Sequence, residues 1–174
     1  MTSALEYKDD LKKFLELYEY QSNLTNYLDE IEDVDFNQKI INEIVLWKVN
    51  RYAEIDENIL KEINSLKSLD PGDHRKSALL LRKILDLKGI DIAMASTIFR
   101  FKNPKVFQII DRHAYRALFN KKLPIYPSSN VNRKIETYFN YIDELIRLCN
   151  ERNLEFSTID RLLYIFDKKI NGKL

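Results

Sequence analysis

The sequence predicts an all-α fold, and three observations carry that prediction. Only 3 glycines and 4 prolines occur in 174 residues, too few turn-formers for a succession of short strands. Apolar residues recur at i, i+3, i+4 and i+7 rather than in alternation almost throughout. Hydrophobic residues make up 45% of the chain, which lets one domain of this length, or two small helical lobes sharing a core, bury a sizeable interior. No internal repeat, low-complexity tract or flexible linker interrupts it, so residues 1–174 are expected to form a single helical body.

The elements follow in order. Ser3 with Glu6 has capping-box form ahead of Leu11, Phe14, Leu15 and Tyr18, which predicts a first helix. Leu24, Tyr27, Leu28 and Ile31 predict a second. Asp35 with Gln38 precedes Ile40, Ile41, Ile44, Val45 and Trp47 in a third. Asp56 is placed to cap a fourth, carrying Ile59, Leu60, Ile63 and Leu66. Asp70-Pro71-Gly72-Asp73 is a turn, from which Asp73 is placed to cap the next helix through Leu85.

Residues 85–96 then join two helical patterns through a very short connection centred on Gly89, a helical hairpin. Glycine there allows positive φ and close backbone approach, and the N–H groups opening the helix at Ile92 are free to meet a phosphate. Ala93, Ala95 and Ser96 are small, so the two helices are expected to cross tightly. Residues 112–119 are helical with Asp111 at the N-cap position. Pro124 and Pro127 interrupt residues 123–130. Ile135, Tyr138, Phe139, Ile142, Leu145 and Ile146 form one stripe of a long helix, and Ser157 with Asp160 opens a last helix ending near Gly172. Residues 75–122 form the central motif, flanked by helices in 1–70 and 130–172.

Several functional classes are excluded. The single cysteine, Cys149, permits no disulfide framework and no four-cysteine zinc or iron-sulfur site within the chain, and its apolar neighbours predict a buried thiol. Residues 1–6 lack a basic segment leading into an apolar run, and no stretch approaches the roughly 18 apolar residues of a membrane span. A soluble cytoplasmic setting, no membrane partner and a monomer are therefore expected. The net charge of +1 conceals an asymmetry. Residues 1–74 carry 8 Lys and Arg against 17 Asp and Glu, whereas residues 75–122 carry 12 against 3. Such a basic block focuses an anionic partner, most commonly nucleic acid, or else docks against the acidic block of its own chain.

Two segments resemble a known superfamily. Leu87-Lys88-Gly89-Ile90-Asp91-Ile92-Ala93-Met94-Ala95 is similar to the helix-hairpin-helix signature of the base-excision DNA glycosylases (HhH-GPD), Leu-Pro-Gly-Val-Gly-x-x-x-Ala. Ile109-Ile110-Asp111-Arg112-His113-Ala114-Tyr115-Arg116 resembles that superfamily's second signature, an apolar pair followed by Asp, His, an aromatic and Arg. The 18 positions from Ala93 to Asp111 match the separation in its endonuclease-III-like branch. Trp47-Lys48-Val49-Asn50-Arg51 resembles an element of small uncharacterised prokaryotic members. The resemblance implies a two-lobed helical bundle of roughly eight to ten helices that binds double-stranded DNA in the nucleoid, with an alkali-metal ion at the hairpin and no iron-sulfur cluster.

The residue roles implied are specific. Asp111 is the expected catalytic carboxylate, able to stabilise oxocarbenium charge and orient the attacking water, and its N-cap role is compatible with that. Lys88, Gly89, Ile90, Asp91, Ile92 and Ala93 at the hairpin, with Arg112, His113 and Arg116, are expected DNA contacts, although His113 is also suited to holding Asp111 and a lone helical histidine is more often structural. Trp47, Lys48, Arg51 and Tyr115 are expected at a base pocket, with Tyr126 a further aromatic able to stack on the flipped base and Trp47 alternatively a core residue. Departures from the pattern are informative. Ala93 stands where bifunctional members carry a lysine, so no Schiff base forms there, and Asp91 replaces the second hairpin glycine with a negative charge. A monofunctional glycosylase is the leading expectation; a non-catalytic DNA- or protein-binding module and a structural protein docking an acidic surface are the alternatives.

Overall fold

The computed structural model describes residues 22–31, 35–49 and 53–172, and among them it holds eight α-helices and no strand. The chain divides into two compact units, residues 1–52 and 53–174.

Within the described part of the first unit, α1 (Ser22–Asp29) packs against α2 (Gln38–Lys48) and buries Leu24 and Ile40. Trp47 Nε1 donates to Thr25 Oγ1 at 2.9 Å, a further tie between the two helices. The expected cap at Asp35 is displaced by two residues. Asn37 is the N-cap, its side-chain oxygen accepting from Lys39 N and Ile40 N, and Gln38 is the first helical residue, bonded to Asn42. A carboxamide one residue outside the helix reaches the second and third amides, which a carboxylate two residues earlier does not. The helix expected over residues 3–18 lies outside the described residues.

The second unit contains α3 (Glu57–Ser65), α4 (Ala78–Leu85), α5 (Ile92–Lys102), α6 (Arg112–Phe119), α7 (Val131–Arg152) and α8 (Ile159–Ile170). Asp56 caps α3 through Asn58 N and Ile59 N, as its sequence predicts. Asp73 does not cap α4. Residues Asp73–Ser77 form a 3₁₀ turn that follows Gly72 at φ +93°, and the Asp73 carboxylate pairs with Lys76 at 2.7 Å. Ser157 and Asp160 likewise make no capping box: Ser157 Oγ donates to Glu155, and Asp160 turns inward.

The longest helix, α7, runs through the centre of this unit against α4, α5 and α6. Tyr138, Tyr141, Ile142 and Leu145 on its inner face are completely buried, among Leu81, Ile84, Phe99, Phe107, Ile110 and Ile159. Each such side chain contributes about 1.5–3 kcal/mol by leaving water. Ala95 and Ser96 lie inside the α5 packing as their size suggests, but Ala93 is exposed and takes no part in it. Cys149 is buried, and burial pushes its thiol pKa up. No helix among the described residues is long and apolar enough to cross a membrane.

Candidate functional site

The hairpin joins α4 to α5 by a turn in which Leu87 N donates to Ile84 O and Ile90 N to Leu87 O. Gly89 adopts φ +83° with open space where a Cβ would stand, so the backbone conformation, not crowding, calls for glycine. Asp91 is the N-cap of α5. Its Oδ1 accepts from Ile92 N at 2.7 Å and lies 2.8 Å from Lys134 Nζ, which reaches across from α7. The negative charge that the sequence places at the corner is therefore neutralised. The Ala93 and Met94 amides have no acceptor among the described residues, as expected for a helix start whose cap bonds elsewhere. Lys88 and Ala93 are exposed, while Ile90 and Ile92 turn into the core and offer only backbone. Backbone carbonyls at this corner are hard oxygen donors, the donor chemistry that the expected alkali-metal ion would require, and the Leu87 carbonyl accepts one bond, from Ile90 N.

The segment leading to Asp111 has no regular structure, yet four of its backbone groups find side-chain partners, contributed by three helices in place of a ladder. Tyr138 Oη donates to Gln108 O at 3.1 Å and Tyr141 Oη to Ile109 O at 2.9 Å, both from α7. Asp160 Oδ2 of α8 accepts from Ile109 N at 3.3 Å, and Ser96 Oγ of α5 accepts from Ile110 N at 3.2 Å. Ser96 is about one helical turn beyond the residue that opens α5 at the hairpin, so this last bond links the Asp111 segment to the helix that starts at the corner. Burial raises the pKa of Tyr141 well above the ordinary tyrosine value, helped by the Asp111 and Asp160 carboxylates, so the hydroxyl stays protonated and donating.

Asp111 is the N-cap of α6. Its Oδ1 accepts from Ala114 N at 2.8 Å, and Oδ2 has no hydrogen-bond partner among the described residues. The half-buried side chain lines a cavity of about 310 Å³ with Ile109, Asp160, Arg161, Tyr164 and Ile165. This volume is at the small end of the range for ligand pockets. Asp160 is buried, accepting from Arg161 N at 2.7 Å as well as from Ile109 N, with Arg100 Nε 3.6 Å away. Tyr164 and His113 meet edge to face, 5.1 Å between ring centroids.

Several expected contacts are engaged elsewhere. Arg116 makes a forked pair with Asp167, Nε to Oδ1 at 2.9 Å and Nη2 to Oδ2 at 2.8 Å, and also donates to Gly172 O. His113 Nδ1 lies 2.7 Å from the same Asp167, so His113 holds Asp167 and not Asp111. With Asn171 also donating to it, the fully buried Asp167 is held far below the usual carboxylate range, chiefly by Arg116. Arg116, expected on DNA, is thus engaged in clamping α6 to α8. Tyr115, expected at a base pocket, packs its ring against Phe119 and Tyr141, partly buried against the core, and does not line the cavity beside Asp111. Trp47 is half-buried and Lys48 exposed in the first unit; Arg51 lies outside the described residues.

Arg112 is exposed beside Asp111. Along with Lys88, Lys105, Lys121 and Lys122 it has no acidic partner among the described residues, whereas Arg75, Lys76, Lys83, Arg100 and Arg116 of the basic block are all paired within the chain. The block is therefore divided between internal pairing and open charge. Sequence reasoning missed Tyr164, Arg161 and Lys134, and took Asp160 for a cap. All four meet the site through contacts distant in sequence, which no local spacing signals. No family model, curated protein or solved structure matches the chain.

Proposed function

We propose that this chain is a DNA-binding protein of the helix-hairpin-helix glycosylase type, a monofunctional enzyme that hydrolyses the N-glycosidic bond of a damaged or modified base in double-stranded DNA. The observation that carries this is the double engagement of Asp111: one carboxylate oxygen anchors α6, while the other is unpartnered in a side chain that lines a cavity. Cleavage builds positive charge on the sugar as the base departs with the bonding electron pair. A fixed carboxylate stabilises that charge and takes a proton from the water that closes on the anomeric carbon. The base would enter the cavity beside Tyr164 after leaving the stack. Lys88, Arg112 and the free α5 amides would meet the phosphates. An alkali-metal ion held by the carbonyls of the Leu87–Ile90 corner would add positive charge there.

The test is a panel of duplex oligonucleotides carrying lesions and modified bases, incubated with protein and then cleaved with alkali. Base release by the wild type that falls at least about 100-fold in Asp111→Asn supports the enzyme, since asparagine caps a helix as well as aspartate does. Salt-sensitive binding with no release from any substrate would instead establish the second reading, a non-catalytic binding module. That reading is favoured by the Asp91 side chain standing at the corner where the resemblance has glycine.

A further inference from the structure

The loop between α6 and α7 holds an aromatic ring in solvent on a fixed stalk. Tyr126 is 68% exposed, yet the chain around it is pinned. Tyr126 N donates to Ser129 Oγ at 2.9 Å and Ser129 N to Tyr126 O at 2.9 Å, closing a turn that contains Pro127 and is preceded by Pro124, each with a fixed φ. Ile125 anchors the turn in the core at 8% exposure. Lys134 Nζ donates to Pro127 O at 2.8 Å, and the same ammonium lies 2.8 Å from Asp91 Oδ1 at the hairpin. One buried amine therefore ties the tyrosine loop to the Gly89 corner. Residues 112–135 contain six Lys and Arg and no Asp or Glu; Arg116 and Lys134 pair with Asp167 and Asp91, and Lys121, Lys122 and Arg133 are exposed on either side of the loop.

We propose that Tyr126 is a nucleobase-stacking residue, presented beside the hairpin so that its ring meets an unstacked base while Lys121, Lys122 and Lys88 meet the flanking phosphates. The proposal rests on the DNA-binding reading above and adds a residue that engages the bases. A rigid tyrosine suits this task because every base has a π-face, and little side-chain freedom is lost when the contact forms. Lys134 acts as a positioning residue, holding loop and hairpin in one register.

The experiment uses the whole chain and a duplex with a single 2-aminopurine opposite a mismatch, following its emission and the affinity across a salt series. The wild type is expected to bind with salt-dependent affinity and to change the 2-aminopurine emission. Tyr126→Phe should behave as the wild type. Tyr126→Ala should lose most of the emission change and bind about tenfold more weakly, with an unaltered salt slope, because the phosphate contacts remain. Wild-type behaviour of Tyr126→Ala overturns the stacking proposal and leaves the DNA-binding reading standing. Failure of the wild type to bind this duplex, matched duplex or single strand overturns both.

Discussion

Asp111 and Asp167 both hold α6, in opposite ways. Asp167 is fully buried, and Arg116, His113 and Asn171 surround its two oxygens. Asp111 is half-buried, gives one oxygen to a single backbone amide, and keeps the other unpartnered beside a cavity. A carboxylate with all its acceptor sites taken in a dry interior serves structure, since nothing further can approach it. One that is fixed by half of its bonding capacity leaves the other half open to an approaching group, as the proposed chemistry requires. The difference also divides α6: its Arg116 and His113 belong to the structural side, while Arg112 beside Asp111 stays exposed.

Removing the closed member of the pair should have the largest effect on stability. Asp167→Ala leaves the Arg116 guanidinium without its carboxylate and is expected to cost about 3–5 kcal/mol, measured by urea denaturation. The pH dependence has the same origin. Because the folded-state pKa of Asp167 is depressed, its stabilisation is complete above the unfolded carboxylate range near pH 4 and is lost as pH falls below it. A variant losing well under 1 kcal/mol would erase the contrast between the two aspartates.

A smaller effect should follow from Tyr141→Phe, which keeps the buried ring and deletes the hydroxyl that donates to Ile109 O. The expected loss of stability is about 1 kcal/mol. Base release should fall by a larger factor than that alone implies, because the hydroxyl positions the segment bearing Asp111. Equal, small effects on both measurements would mean that the open carboxylate does not depend on this support.

The smallest effect is expected at His74, which lies buried against Phe139 on the 3₁₀ turn that precedes α4, with Nε2 3.1 Å from Asp143. Burial, the leading cause, lowers its pKa below the ordinary 6.5, although Asp143 pulls the other way. The unfolded chain therefore binds the proton more readily, and stability should decline as pH falls from 7 through 6.5 towards 5. A His74→Leu variant should show a flatter profile over that window, which lies above the range governed by Asp167. An unchanged profile would place the titrating group elsewhere.

Much of this arrangement was legible in the sequence. Periodicity found the helices of the described residues, and the Asp56 cap, the Gly89 corner and the Asp111 cap lie where local patterns put them, because each depends on neighbours within about four residues. What escaped depends on distance. Arg116 reads as a free cation until Asp167 arrives from 51 residues away, and Asp160 reads as a cap although its carboxylate accepts from Ile109 across the same separation. Asn37 and the 3₁₀ turn at Asp73–Ser77 show that two good capping residues close together leave the choice to packing. The hairpin aspartate carried a misleading charge for the same reason, since Lys134 is contributed by α7.

The suspension of residues 108–110 from tyrosine, serine and aspartate side chains has a kinetic corollary. Loop amides ordinarily trade their hydrogens with solvent through small local fluctuations. Those of Ile109 and Ile110 are gripped by α8 and α5, so they should exchange only when the helical unit opens as a whole, as slowly as amides deep in α7.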